Sequence, residues 1–150
     1  MNKKYIKNID VKEFQNIIQT ILIDKKINQT KINIIKISHY CHNRINQLNQ
    51  IWDEIQFFYL APNVQIKELK KFEYKNLFEL WTKELQSINE VSIDNINLII
   101  IKSKKILNLF GKNLFFPLRI NLIGQKHGPD LFTIIDILGI EETIKRIQAI

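Results

Sequence analysis

Apolar side chains recur at three- and four-residue spacing along most of this chain of 150 residues. The first such stripe begins at Phe14 and continues to Leu22. This spacing places the apolar side chains on one face of an α-helix. Asp10 and Glu13 precede the stripe with the spacing of a capping box, so the sequence predicts a helix over Val11–Asp24.

A second apolar stripe covers residues 34–59, after a polar stretch at residues 25–31. Its apolar positions keep the helical period throughout, so we expect one long helix there. Pro62 follows the stripe, and the residue before a proline rarely continues a helix. The sequence therefore predicts that this second helix ends shortly before Pro62.

The remainder of the chain repeats the helical pattern in shorter pieces. A buried strand is an alternative reading of residues 98–101, but the helical period continues beyond them to Ile106 and Phe110. Three of the predicted helices are residues 67–71, residues 74–88 and residues 141–148. A further helix begins at Ser92 or Asp94 as its cap and ends at Phe110, with Gly111 as its stop. The last two are residues 118–123, with Pro117 in the first turn, and a helix that begins at Gly128 and Pro129 and ends at Gly139.

These patterns predict an all-α protein. The segment 61–65 has the composition of a hinge, so we expect two small helical lobes: residues 1–62 as an N-terminal lobe and residues 63–150 as a C-terminal lobe. A chain of this length buries enough surface to form a core without disulfides.

The chain is basic, with a formal net charge of +7. Most of the positive charge comes from lysine, because arginine occurs only at Arg44, Arg119 and Arg146. Lysine attracts phosphate as a point charge, whereas the planar guanidinium of arginine can recognise a base edge by two hydrogen bonds. Heavy use of Ile, Lys and Asn also indicates an AT-rich genome, such as that of an organelle or a parasite.

No segment approaches the roughly 18 consecutive apolar residues that a membrane-spanning helix requires. Residues 1–14 are basic but lack an apolar core, and they contain acidic side chains, which are rare in transit peptides. We therefore expect a soluble protein without a membrane partner, in an organelle (mitochondrion or plastid) or in the cytoplasm.

Neither a metal site nor catalysis is indicated by the sequence. His39 and His42 are three residues apart beside Cys41, but two histidines do not complete the four-ligand set of structural zinc. No Ser/His/Asp order, Gly-rich phosphate loop or poised carboxylate pair stands out. We expect no metal, no cofactor and no enzymatic activity of the chain alone.

Residues 111–150 read GKNLFFPLRINLIGQKHGPDLFTIIDILGIEETIKRIQAI, and this segment resembles the end of the anticodon-binding region of bacterial-type glutamyl-tRNA synthetases, which are class I aminoacyl-tRNA synthetases. A weaker match at residues 43–59 extends the resemblance back to about residue 34. The catalytic half of such an enzyme, with its HIGH and KMSKS signatures, has no counterpart here. The residues that carry the match are, in order, Pro117, Leu118 and Arg119, Gly124, Gly128 and Pro129, Leu131, Leu138 and Gly139, and Arg146.

The resemblance implies which residues contact RNA. The family positions that approach the second and third anticodon bases correspond here to Arg119, Gly128, Pro129 and Leu131. Arg44 corresponds to a family arginine that contacts the first anticodon base. The structural alternatives are that Arg119 pairs with a carboxylate such as Asp136, and that Arg44 is a solvated arginine on a helix face.

Two further candidates follow from the residues themselves. Lys126 and His127 lie in a polar loop just before the Gly128 corner, where Lys126 could hold a phosphate and His127 could stack on a base. Arg146 lies in a final helical turn, where a positive charge complements the helix dipole, with a phosphate contact as the alternative. The aromatic residues fall on helical stripes and are expected to form the core.

The sequence thus predicts a non-catalytic module that binds the anticodon loop of a glutamate-type tRNA. It would act as a free tRNA binder or as one piece of a split synthetase whose partner supplies the catalytic subunit; a chain cut from a longer enzyme is a third reading. The alternative hypothesis is a structural subunit of a larger organellar complex, such as a ribosome, that kept the fold and lost specific tRNA recognition. That alternative predicts an exposed apolar patch and an Arg119 that faces protein.

Overall fold

A computed structural model describes residues 6–28 and 32–150, and all regular elements in these ranges are helical, which confirms the predicted all-α class. The described chain divides into two compact units between Leu60 and Ala61. The helices are α1 (Val11–Asp24), α2 (Ile34–His42), a 3₁₀ turn (Leu48–Gln50), α3 (Ile51–Tyr59), α4 (Ile66–Leu69), α5 (Tyr74–Ser87), α6 (Ile93–Leu107), α7 (Lys112–Ile123) and α8 (Leu131–Gln148).

Helix α1 has the predicted bounds. The Asp10 carboxylate accepts a hydrogen bond from the Lys12 backbone N–H at 3.2 Å, which satisfies one of the free donors at the helix start. Phe14, Ile18 and Leu22 are buried on one face, against α2. Part of the predicted polar break at residues 25–31 lies outside the described residues.

The prediction of one helix over residues 34–59 was wrong. Between α2 and α3, polar side chains take over backbone hydrogen bonds that a continuous helix would have made. Gln50 Oε1 accepts from the backbone N–H groups of Asn46, at 2.8 Å, and Gln47, at 3.1 Å. The Asn43 side-chain amide donates to the His39 carbonyl at 3.0 Å. These bonds stabilise a connection that the apolar pattern alone does not reveal.

Helix α6 begins as predicted and ends earlier than predicted. Ser92 Oγ accepts from the Asn95 N–H at 3.1 Å at the helix start. The helix stops before Phe110 because Asn108 adopts the left-handed conformation, with φ 55° and ψ 38°. Asparagine tolerates this conformation better than most residues, so it can end a helix as glycine does. Gly111 precedes α7 instead of closing α6.

Helix α7 begins at Lys112, and Pro117 lies in its interior instead of its first turn, contrary to the prediction. Proline removes one helical hydrogen bond at this place. Leu114, one turn before the proline, and Leu118 are completely buried, and Pro117 is buried. Burial of these side chains favours the longer helix despite the lost bond.

Helix α8 begins two residues after Pro129. Asp130 is its N-cap, and the carboxylate accepts from the Thr133 N–H at 2.7 Å. At Gly139 the backbone leaves the helical conformation, with φ 82° and ψ 162°, so the first segment ends there as predicted and a second segment continues to Gln148.

The core of the unit 61–150 is built around α8, which packs against α5, α6 and α7. Trp81 of α5 is completely buried, and its indole N–H donates to Ser103 Oγ of α6 at 2.9 Å. Ile134 and Ile135 of α8 are also completely buried. This core fixes α7 and the loop that follows it. Among the described helices, none combines the length and the apolar character needed to cross a bilayer.

Candidate nucleic-acid interface

Arg119 and the corner at Gly128 and Pro129 lie side by side. The Arg119 Nε–H donates a hydrogen bond to the Pro129 carbonyl at 3.0 Å. The guanidinium carbon lies 5.8 Å from the centre of the Phe115 ring, one turn earlier on α7. The arginine therefore binds backbone of the corner, and the Asp130 carboxylate, in place of the expected Asp136, is the nearby negative charge.

Arg119 lines an open pocket of about 360 Å³. This volume is at the lower end of the range for small-ligand sites, roughly 300–1,000 Å³. Apolar side chains of α6 form one wall, Phe115 and Arg119 of α7 form another, and the start of α8 closes it with Asp130, Leu131 and Phe132. The arrangement combines apolar walls with one cation and one carboxylate.

The Arg119 guanidinium in this pocket is charged but only partly hydrated. Burial lowers the pKa of Arg119, and the nearby Asp130 carboxylate opposes that shift. A guanidinium stays protonated at any physiological pH. Because it is half-buried, its hydrogen bonds to a ligand compete with less water than those of an exposed arginine.

Two glycines set the shape of the loop between α7 and α8. Gly124 ends α7 with φ 78°, and a Cβ added there would lie 2.9 Å from Pro62 Cβ. Gly128 has φ 152°, and a Cβ there would lie 2.9 Å from Ile123 Cδ1. Both positions combine a backbone conformation that favours glycine with close packing. The corner therefore depends on the absence of side chains at these two residues.

The other predicted residues of this loop differ in accessibility. Lys126, His127 and Gly128 are exposed, whereas Pro129 is buried. The His127 ring packs edge-to-face against Phe116, with the ring centres 5.1 Å apart. Leu131 is only 2% exposed, so its side chain lines the pocket as part of the core.

Arg44 lies in the other unit and has a carboxylate partner. Its Nε donates a hydrogen bond to Glu54 Oε1 at 2.6 Å, and the Tyr40 hydroxyl donates to the same oxygen at 3.1 Å. The guanidinium carbon also lies 5.1 Å from the centre of the Tyr40 ring. Burial raises the pKa of Tyr40, and Glu54 raises it further. Arg44 is thus held by an ion pair, in contrast to the freely solvated arginine of the structural alternative.

Arg146 is not available to a phosphate, so that sequence alternative was wrong. The residue is 4% exposed. Its Nη1 donates to the Leu122 carbonyl at 2.7 Å, and its Nε donates to Glu142 Oε1 at 3.1 Å. The Asn121 side-chain amide donates back to the Arg146 carbonyl at 3.1 Å. The Arg146 side chain therefore provides a hydrogen-bond donor for a carbonyl in the last turn of α7, a helix distant in the sequence.

Neither histidine beside Cys41 has a metal-site environment. Cys41 is buried, and burial raises the pKa of its thiol to about 12. His42 Nε2 donates to the Ile6 carbonyl at 2.6 Å, and its ring packs edge-to-face on Phe14. In the described part of the chain, no group of three or more His, Cys, Asp or Glu side chains could hold a metal ion.

Sequence reasoning did not identify several residues at this surface. Phe115 precedes Arg119 by four residues, so the helical repeat could have placed the two on one face. Asp130 carries a recognisable N-cap signal before α8. Asn97 lines the pocket from α6 and has no local signal, because only the packing of α6 brings it there.

Comparison with known proteins identifies the family. Residues 10–150 match the family model described as the anticodon binding domain. A glutamate-tRNA ligase of Christiangramia forsetii is 36% identical over 131 residues, which cover 83% of this chain and 25% of that protein. A glutamate-tRNA ligase of Mycoplasma genitalium is 32% identical over 154 residues, which cover 99% of this chain and 31% of that protein.

A solved structure supports the same fold. The crystal structure of a glutamate tRNA ligase from Elizabethkingia meningosepticum matches with a TM-score of 0.80 at 23% identity, over 99% of this chain and 30% of that one. The chain thus spans about a quarter to a third of the length of these relatives. It resembles their anticodon-binding part. By its match over residues 10–150, the chain belongs to the anticodon binding domain family.

Proposed function

We propose that this protein binds tRNA at the surface formed by Arg119 and the Gly128–Pro129 corner, and that it reads unpaired bases of the anticodon loop there. The hydrogen bond from Arg119 Nε to the Pro129 carbonyl carries the proposal, because it orients the guanidinium beside an exposed loop and an open pocket. Membership of the anticodon binding domain family supports it.

The guanidinium has the hydrogen-bonding capacity that base recognition requires. Arginine has five N–H donors in a planar fork, and the bond to Pro129 uses one of them. Among the described residues, no other hydrogen bond of this guanidinium is present. The terminal nitrogens can thus donate two parallel bonds to a base edge, a contact that contributes about 1–3 kcal/mol of discrimination between bases.

Apolar surface beside the guanidinium can receive the flat faces of bases. Phe115 and Phe132 line the pocket and are half-buried, so part of each ring is accessible. Stacking of a base on an aromatic ring contributes about 1–3 kcal/mol. We propose that the exposed backbone of Gly128 makes additional hydrogen bonds to the RNA. The buried Pro129 and Leu131 would hold that backbone in place by packing.

Phosphate attraction adds affinity that does not depend on sequence. The chain carries a net charge of +7, and Lys126 and His127 are exposed on the loop. We assign Arg44 a smaller part, as a contact to the first anticodon base, because Glu54 already neutralises much of its charge.

We further infer that the ligand is a glutamate tRNA and that the chain serves a glutamate-tRNA ligase. The relatives that it matches carry this name, and they are three to four times longer than the matched region. Aminoacylation would then depend on a catalytic region, in the same polypeptide or on another subunit. The present chain would present the anticodon to that region.

Substitution of Arg119 tests the proposal. We expect Arg119→Ala to weaken binding of a glutamate-tRNA anticodon stem-loop by about tenfold or more, because the bidentate contact is lost. Arg119→Lys should retain phosphate attraction and lose discrimination between base-substituted loops. Lys83→Ala, an exposed residue on α5, is the control and should leave discrimination unchanged. Fluorescence anisotropy at moderate salt measures each affinity.

Two results would contradict the proposal. One is equal affinity of wild-type protein and Arg119→Ala for the stem-loop. The other is the absence of any binding by the wild-type protein at moderate salt. Thermal unfolding of each variant shows whether a loss of binding reflects loss of the fold, and we expect Arg119→Ala to lower the free energy of unfolding by only about 1 kcal/mol, because one hydrogen bond to the Pro129 carbonyl is lost.

A further inference from the structure

A second cleft lies on the side of α7 that faces residues 68–72. It has a volume of about 230 Å³, and Lys71 and Lys126 line it from two different segments. Gln125 and Gly124 of the loop also line it, together with Ile120 of α7. Since Lys71 and Lys126 are both exposed, the cleft presents two mobile ammonium groups to solvent.

Three aromatic residues, which do not themselves line the cleft, lie next to lining residues in the chain or one turn away on α7. Phe72, next to Lys71 in the chain, packs edge-to-face on Phe116 with ring centres 6.4 Å apart. Phe116 in turn packs edge-to-face on His127 with ring centres 5.1 Å apart. Phe72 and Phe116 are half-buried and His127 is exposed, so His127 is the accessible end of a supported row of rings.

The row and the Arg119 pocket lie on neighbouring stripes of one helix. Phe115 and Arg119 are four residues apart on α7, and Phe116 and Ile120 form the adjacent stripe with the same spacing. Arg119 holds the loop at Pro129, and Phe116 contacts it at His127. The two sites therefore flank a single loop.

We propose that Lys71, Phe72 and Phe116, with Lys126 and His127, form a second RNA subsite that binds one strand without reading its sequence. Paired lysines beside an aromatic ring are the chemistry that proteins use to hold a sugar-phosphate backbone and to stack a base. This inference rests on the proposed function, since the subsite would engage the nucleotides next to those that Arg119 reads.

Glu68 also lines the cleft, on the side of α4. Its carboxylate repels phosphate and offsets one of the two lysines. Because the isosteric substitution Glu68→Gln removes this negative charge, we expect it to strengthen RNA binding by about twofold to fivefold at low salt.

Salt dependence tests the lysines. Binding of a glutamate-tRNA anticodon stem-loop is measured by anisotropy over a range of salt concentrations, for the full chain and for Lys71→Ala. Loss of one phosphate contact to a single strand should reduce the slope of log K against log salt by about 0.7. Lys83→Ala, which changes the same charge outside the cleft, should change the slope less.

A double-mutant cycle tests the rings. His127→Ala should weaken binding by about tenfold through loss of stacking. Phe116→Leu should weaken it less, and only while His127 is present, because Phe116 positions that ring. The two effects should therefore not add in the double variant. A merely structural role of Phe116 would give additive effects.

The outcomes separate this inference from the proposed function. If wild-type protein binds the stem-loop, and Arg119→Ala weakens that binding while Lys71→Ala, His127→Ala and Glu68→Gln leave it unchanged, the subsite is refuted and the proposed function stands. If wild-type protein does not bind, both are refuted. If the slope falls for Lys71→Ala and Glu68→Gln gains affinity, the subsite is supported.

Discussion

At the scale of single residues, the three arginines have three different environments. Arg119 binds the backbone of an exposed loop, Arg44 pairs with Glu54, and Arg146 is buried against a helix end. The sequence identified Arg119 because it occurs in an ordered motif. It could not separate Arg146 from a surface arginine, since the carbonyl that it satisfies belongs to Leu122, 24 residues away.

The buried position of Arg146 predicts a structural effect. We expect Arg146→Ala to lower the free energy of unfolding by about 3 kcal/mol, because the Leu122 carbonyl loses its charged donor and Glu142 loses its partner. Lys145→Ala, at the exposed neighbouring position, should have little effect. Urea unfolding followed by circular dichroism compares the two variants, and equal stabilities would contradict this role.

At the scale of helices, the apolar period and the caps predicted where most helices lie. Helix α1 has the predicted bounds, and the interruption at Gly139 lies where glycine predicted it. Two of the errors concern where a helix ends. The helix over residues 34–59 is interrupted because the Gln50 side chain bonds backbone N–H groups before α3, and α6 ends early because Asn108 adopts the left-handed conformation. The apolar pattern does not predict which polar side chain will end a helix, because several nearby residues can do so.

Helix α7 depends on the glycine that ends it. We expect Gly124→Ala to lower the free energy of unfolding by about 2–3 kcal/mol, since a methyl group there adds backbone strain at φ 78° and a contact of 2.9 Å with Pro62 Cβ. Gly111→Ala tests strain without a close contact: its φ of 53° and ψ of −130° lie outside the regions that other residues commonly adopt, but no atom lies within 4 Å of the added group. It should cost about 1–3 kcal/mol through backbone strain alone. Thermal unfolding measures both losses, and a Gly124→Ala variant as stable as the wild type would contradict this account.

At the scale of the whole molecule, the family and the all-α fold were predictable from one ordered motif and the helical period. The pocket beside Arg119 was not, because its wall on α6 is formed only when α6 packs on α8. The assignment of residues 1–62 and 63–150 as domains, and the roles of the site residues, stay predictions. So does the location of the protein in an organelle or the cytoplasm.

The alternative of a structural subunit in an organellar complex predicts an exposed apolar patch and an Arg119 that faces protein. Four large apolar residues on α6 are exposed, Ile93, Leu98, Ile101 and Ile106, so exposed apolar surface alone does not separate the two hypotheses. Arg119 lines an open pocket, and the comparisons give no support to this alternative. The observations thus favour RNA binding.

Nuclear magnetic resonance of the labelled protein, titrated with a glutamate-tRNA anticodon stem-loop, tests the central claim most directly. We predict that the largest shifts occur at the Arg119 Nε–H and the Gly128 backbone N–H, with the buried Trp81 indole N–H, bonded to Ser103, as the unperturbed reference. Saturating RNA that leaves the Arg119 and Gly128 signals in place would contradict the account.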